Sequence, residues 1–216
     1  MPKVTLTFDN GPEPDATPGV LDCLARHGVK STFFVLGRKV NLPAGRALAQ
    51  RAAAEGHRIG NHTFTHARPL GELDRATALR EFEQAEQALS WLDQPQRLFR
   101  PHGGGDIGPH LLHPVIVEKL LAGGYTCVLW NSVPGDWRDP DGWLERAMAD
   151  CHSRDWSLVV LHDISPRLLP HLEDFLGRLK RDGFELTQEY PPDCLPIIRG
   201  KVVLPLEPYV TATLSN

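Results

Sequence analysis

Two histidines four residues apart, in the run His62-Thr63-Phe64-Thr65-His66, are the side chains of this sequence best spaced for metal chemistry. On a helical turn, positions i and i+4 share a face, so both imidazoles can converge on one cation, as paired histidines do in zinc sites. A pair of exposed or capping histidines is the plain alternative. Four other runs place reactive residue types beside turn formers. Thr7-Phe8-Asp9-Asn10-Gly11-Pro12 offers a carboxylate and an amide, although turns also prefer these residues. Phe99-Arg100-Pro101-His102-Gly103-Gly104-Gly105 offers a guanidinium whose fork matches a carboxylate, then glycines whose N–H groups can approach an anion. A flexible loop with a surface arginine would read the same way. Trp130 to Trp137 contains Asp136, and Leu161-His162-Asp163 carries an imidazole and a carboxylate. A solvated aspartate and a buried, hydrogen-bonded histidine are their bland readings.

Each run follows a short apolar segment that reads as a strand. Val4–Phe8, Ser31–Leu36, His57–Gly60, Leu98–Arg100, Tyr125–Trp130, Leu158–Leu161 and Gly183–Leu186 are the expected strands. Between them lie helical patterns: one around Leu21, Leu24 and Ala25 ended by Gly28, then Ala44–Glu55, Leu73–Leu92, Pro114–Ala122, Trp143–Cys151 and Leu168–Arg181. In the longest, Ala76, Leu79, Phe82, Leu89 and Leu92 fall on one face. From about residue 190 the chain is Pro-rich and is expected to be an irregular arm, within one domain spanning 1–216. Strand–helix alternation implies an α/β fold with right-handed crossovers, and about seven parallel strands would close into a distorted (β/α) barrel. Barrel chemistry sits on loops leaving the carboxyl ends of strands, which is where all five runs fall.

In this order, the five runs resemble the five motifs of the polysaccharide deacetylase family, the chitooligosaccharide deacetylase-like enzymes of carbohydrate esterase family 4. The resemblance covers residue 4 to about 188. It implies a divalent metal ion, zinc by ligand type, held by His62, His66 and the Asn10 position. It also implies hydrolysis of an N-acetyl group, with Asp9 as general base toward the attacking water and Arg100 as its orienting partner. His162 would be the general acid, with Asp136 orienting the ring and raising its pKa. The backbone N–H of Gly103 would complete the oxyanion hole, and Trp137 with Leu161 would form the small apolar pocket for the acetyl methyl.

Two positions depart from the family pattern. Most members carry a second acidic residue where this chain has Asn10, and an uncharged amide oxygen is a weaker ligand. A branch resembling peptidoglycan N-acetylmuramic acid deacetylases shares the asparagine. The third motif usually continues Pro-Tyr-Gly, whereas here Pro101 is followed by His102 and Gly103, which removes a ring from the sugar site. His102 is a candidate extra ligand that compensates for Asn10.

Composition narrows the partners. With 216 residues, 41% apolar and 23% charged, the chain has the balance of a globular protein. A net charge of −4 and no basic run argue against nucleic acid, and no apolar stretch suits a membrane span. Cys23, Cys127, Cys151 and Cys194 form no metal-binding or redox pair by spacing and are expected to be free, buried thiols. No secretory signal precedes the first motif, so a cytoplasmic location is expected, with a trimmed export signal as the alternative. The expected partner is an acetylated sugar or glycoconjugate, and homo-oligomerisation is left open. Two other readings stand beside this one: hydrolysis of another small amide, such as a formamide or cyclic ureide, and a carbohydrate-binding module without activity.

Overall fold

The computed structural model describes residues 1–212. Seven strands run parallel: β1 (Lys3–Asp9), β2 (Thr32–Val35), β3 (Arg58–Asn61), β4 (Arg97–Phe99), β5 (Tyr125–Cys127), β6 (Trp156–His162) and β7 (Glu185–Thr187). The sheet order is β6-β1-β2-β3-β4-β5, and β7 pairs with the first half of β1, below β2. Beyond β5 the parallel ladder ends, but the chain swings back and Ser132 forms a lone parallel bridge with Val159 of β6. There the Ser132 N–H donates to the Leu158 carbonyl (3.1 Å) and the Val160 N–H to that of Ser132 (3.0 Å). The barrel is closed by this single bridge, which is its distortion.

Seven helices lie between the strands: α1 (Thr17–His27), α2 (Gly37–Val40), α3 (Pro43–Ala54), α4 (Arg75–Ala88), α5 (Pro114–Ala122), α6 (Trp143–His152) and α7 (Leu169–Arg181). Gly28 caps α1 at φ 63°, a left-handed turn that glycine adopts without a Cβ clash. None of the helices among the described residues is long and apolar enough to cross a membrane. All four cysteines are free and buried.

Alternation along the strands divides the interior. Val4, Leu6 and Phe8 of β1 and Val159 and Leu161 of β6 pack outward with α1, α6 and α7. Leu158 and Val160 belong to the second core, and Thr5, Thr7 and Asp9 take the opposite parity to Val4, Leu6 and Phe8. In register, Asp9 sits opposite His162 across the β1–β6 ladder, so both emerge at one level of the barrel mouth.

Three expectations are corrected. The buried face of α4 is Ala78, Phe82, Ala85 and Ala88; Ala76 is exposed, and Leu89 and Leu92 lie past the helix end. Leu79, Phe82, Leu89 and Leu92 do pack against the core, but the face is completed by alanines where α2 comes close: a Cβ on Gly37 would come 2.7 Å from the Ala85 Cα. The fifth strand ends at Cys127 rather than Trp130, since the Val128 and Leu129 carbonyls turn to the Arg100 guanidinium. The segment after 190 is not wholly irregular. It forms the strands β8 (Ile197–Ile198) and β9 (Lys201–Val202), antiparallel to β5 and to each other, before Leu112 bridges Val210. Residues 213–216 lie outside the described residues.

Candidate active site

At the carboxyl ends of the strands lies a cavity of about 350 Å³ lined by Asp9, Asn10, His62, His66, His102, Gly103, Trp130, Trp137, Val160 and His162, among others. Residues from the first three motifs and the last two thus meet in one place.

Arg100 anchors the floor and is fully buried. Its Nη1 donates to Asp9 Oδ1 (2.8 Å) and to Thr7 Oγ1 (2.7 Å). Nε donates to the Val128 carbonyl (3.0 Å) and Nη2 to that of Leu129 (3.1 Å), while the guanidinium lies 4.1 Å over the Phe34 ring. A charge taken this far from water is tolerable only with its donors satisfied, and removing one partner of such a pair costs about 3–5 kcal/mol. Asp9 is therefore held as an ion-paired carboxylate with Oδ2 turned toward His62, 3.6 Å from its Nε2.

His62 Nδ1 lies 2.8 Å from the Arg100 carbonyl. A carbonyl only accepts, so Nδ1 carries the proton and Nε2 presents a lone pair. Burial, with the Arg100 charge behind it, keeps His62 well below its usual pKa, and burial and the neighbouring His62 push His66 down to about 2. Both rings are neutral, the form that binds metal, and their centroids lie 4.9 Å apart. Asn10 Oδ1 is buried without a hydrogen-bond partner. Two neutral imidazoles, one fixed by a carbonyl in the manner of metal-ligating histidines, and an orphaned amide oxygen fit a divalent cation.

The two histidines do not ride a helical turn, as their spacing suggested. Residues 62–66 form a bent loop in which Thr63 (φ 70°) and His66 (φ 61°) are left-handed, as is Asn10 (φ 72°). Apart from Arg199, these are the non-glycine residues with positive φ among the described residues. Such backbone costs on the order of 1 kcal/mol per residue and persists only where neighbours enforce it. The enforcer is Glu81 of α4. Its Oε2 accepts from the Phe64 N–H (3.1 Å) and Thr65 N–H (2.8 Å), and Oε1 from Thr65 Oγ1 (2.7 Å). Asn61 Oδ1 accepts from the Thr63 N–H (2.8 Å). Neither Glu81 nor Asn61 stood out in the sequence; Glu81 is one of several acids along α4, and nothing local marks it.

His102 stacks on His66 at 3.6 Å between centroids and 23° between planes. Nitrogen lone pairs lie in the ring plane, and planes so nearly parallel do not meet within the ~2 Å of a zinc–nitrogen bond. His102 is thus a wall against His66, not its fellow ligand.

Opposite Asp9, His162 Nδ1–H donates to Asp136 Oδ1 (2.9 Å), and the His162 backbone N–H donates to Oδ2 (2.8 Å). Burial alone would lower the His162 pKa, but the Asp136 hydrogen bond and charge outweigh it and hold the ring above its ordinary value. The Trp137 and His162 rings pack edge to face with their centroids 4.6 Å apart. Gly103 lines the pocket where a Cβ would strike Leu111 (2.5 Å) and Trp130 (2.7 Å), so a larger residue would have to displace both side chains. Leu161 does not line the cavity. It packs in the outer core, and its neighbour Val160 faces the pocket, because adjacent residues of a strand point to opposite faces. Asp163, fully buried beneath, accepts from Thr17 Oγ1 (2.5 Å), and burial pushes its carboxyl up to about 6.

The polysaccharide deacetylase family profile matches residues 1–111. The peptidoglycan-N-acetylglucosamine deacetylase PgdA of Listeria monocytogenes is 30% identical over 189 residues, which is 86% of this chain but 37% of that protein. The chain thus spans little more than a third of that relative's length. A chitooligosaccharide deacetylase of Rhizobium leguminosarum bv. trifolii is 33% identical over 185 residues, 84% of this chain and 78% of the relative. The solved structure of the peptidoglycan deacetylase PdaC from Bacillus subtilis superposes with a TM-score of 0.71 at 26% identity, covering 87% of each chain.

Proposed function

This chain belongs to the polysaccharide deacetylase family, and from that premise we propose that it is a divalent-metal-dependent hydrolase removing an N-acetyl group from a carbohydrate or glycoconjugate. The observation that carries the reading is the pairing of an ion-held carboxylate, Asp9–Arg100, with a carboxylate-held imidazole, His162–Asp136, in the lining of one cavity.

An amide resists hydrolysis because its carbonyl is a poor electrophile and its nitrogen leaves badly unless protonated. Asp9 takes a proton from the attacking water as the carbon–oxygen bond forms, and Arg100 keeps that carboxylate aimed. His162, protonated and steadied through Nδ1, delivers a proton from Nε2 to the departing nitrogen as the carbon–nitrogen bond breaks. The products are acetate and a free amine. Such acid and base assistance supplies about 10²–10⁴-fold each. The Gly103 N–H is the donor for the developing oxyanion, and Trp137 with Val160 bounds the acetyl methyl. A divalent ion on His62, His66 and Asn10 would supply Lewis acidity, polarising the carbonyl and acidifying water.

Acetate release across N-acetylated saccharides, with zinc, cobalt or manganese added, tests this. Turnover that depends on metal and disappears in Asp9→Asn is the expected result. Release from formamides or cyclic ureides in place of sugars would move the assignment to a small-amide hydrolase. Sugar binding without any turnover by metal-loaded protein would make the chain a carbohydrate-binding module.

A further inference from the structure

Among the described residues, one trio of histidine, cysteine and carboxylate side chains brings its donor atoms within 4.8 Å of one another, and it lies outside the cavity: Cys23, His27 and Glu173. Cys23 and His27 are four apart on α1, so they share a face, and Glu173 reaches them from the adjoining α7. Glu173 Oε1 lies 2.8 Å from His27 Nε2, and Oε2 lies 3.3 Å from Cys23 Sγ. Arg26 Nη2 also donates to Oε2, at 2.6 Å.

We propose that Cys23, His27 and Glu173 form a second divalent-cation site, suited to a thiophilic ion such as zinc, that clasps α1 to α7 on the outside of the barrel. Tetrahedral zinc, with bonds of about 2.0–2.3 Å, sets its ligand atoms roughly 3.3–3.8 Å apart. The separations to Glu173, 2.8 and 3.3 Å, lie at or just below that range, and all three donors are within 4.8 Å of one another, so side-chain adjustments of about an ångström bring them onto one ion. Sulfur, imidazole and carboxylate are a zinc ligand set, and water completes the fourth position. The ion enters from solvent past Glu173, whose side chain is 46% exposed, while Cys23 forms the buried end.

Binding is balanced in protons. The Cys23 thiol loses its proton to solvent, and the His27 proton moves from Nε2 to Nδ1. Without metal, burial and the facing Glu173 push the thiol up to about 12, so occupancy rises with pH. Arg26 competes for Glu173, but its side chain is 59% exposed and can swing away.

Cobalt titration of the chelator-stripped, full-length chain tests the site, because the catalytic cavity offers no sulfur. One thiolate-to-cobalt charge-transfer band per chain is expected, absent in Cys23→Ser and displaced by zinc. His27→Gln, at a partly exposed position that leaves the fold intact, should lose the band as well. Arg26→Gln should tighten binding roughly tenfold, the worth of one competing charge-assisted hydrogen bond. No thiolate band at saturating cobalt in the folded parent, or an undiminished band in Cys23→Ser or His27→Gln, would overturn the proposal. Neither result bears on acetate release.

Discussion

Replacing Glu81 with alanine is the sharpest test of how the site is built, because Glu81 touches no reacting group. Its carboxylate holds two backbone N–H groups and one hydroxyl of the loop carrying His62 and His66. Charge-assisted bonds contribute about 1.5–3 kcal/mol each when buried, and Glu81 is only half-buried, so the set contributes about 2–3 kcal/mol in total. The loop stores a similar sum, about 1–2 kcal/mol for each of the left-handed residues Thr63 and His66. Glu81→Ala therefore removes roughly what keeps the strained loop in place. Thermal unfolding should fall by up to about 5–10 °C in a chain of this size, and by less as the released loop sheds its strain. Zinc affinity, measured by chelator competition, should drop about 10–100-fold, as it does when the support of a ligand is removed elsewhere. Glu81→Gln, retaining one acceptor oxygen, should lie between. A lower melting temperature with unchanged zinc affinity and unchanged acetate release would refute the argument. It would show that the bonds from the Gly37 N–H to the Thr63 carbonyl and from Arg38 to Phe64 hold the loop unaided.

Asp136→Asn should cost about 10²–10⁴-fold in kcat/KM and shift the alkaline limb of its pH profile downward. The sign follows from His162: its pKa is raised in the fold, so the acid form survives above the ordinary 6.5 and is lost as pH climbs through the folded value. Leu161→Ala should cost about 2–5 kcal/mol in denaturant unfolding and leave the preference among acyl groups unchanged, whereas Val160→Ala should relax that preference toward propionyl with a smaller loss of stability. A changed acyl preference in Leu161→Ala would reverse the assignment of faces. Asp163 carries a carboxyl raised from 3.8 to about 6, so folding favours its protonated form and that contribution fades as pH rises across this window. Asp163→Asn should flatten the dependence of melting temperature on pH between those values, and an unaltered slope would count against burial as the cause.

Much of the fold could be read from the chain because its punctuation is strong. Pro114 and Gly123 bound α5 at the residues expected, and Gly28 stops α1. Each polar run begins where an apolar strand ends, which is enough to place Asp9, His62, Arg100 and His162 at one mouth. Other features escaped because their causes are distant. Residues of both parities are buried along β6, so no alternation distinguishes Val160 from Leu161. The shape of the His62–His66 loop is set by Glu81, remote in sequence, which overrides the local preference for a turn. The closest-packed part of the α4 face is drawn in alanine, at Ala78, Ala85 and Ala88, whose weak apolarity does not mark a face beside the larger Leu79, Leu89 and Leu92.

Arg100 both aims the carboxylate of Asp9 and takes the carbonyls that would have lengthened β5. Lysine, with a single ammonium and no planar fork, cannot reach four acceptors in this arrangement. Inheritance at this position is thereby coupled to architecture. A descendant that drifts to inertness while still folding will be found to have surrendered Asp9 or His162, with the guanidinium beneath them kept.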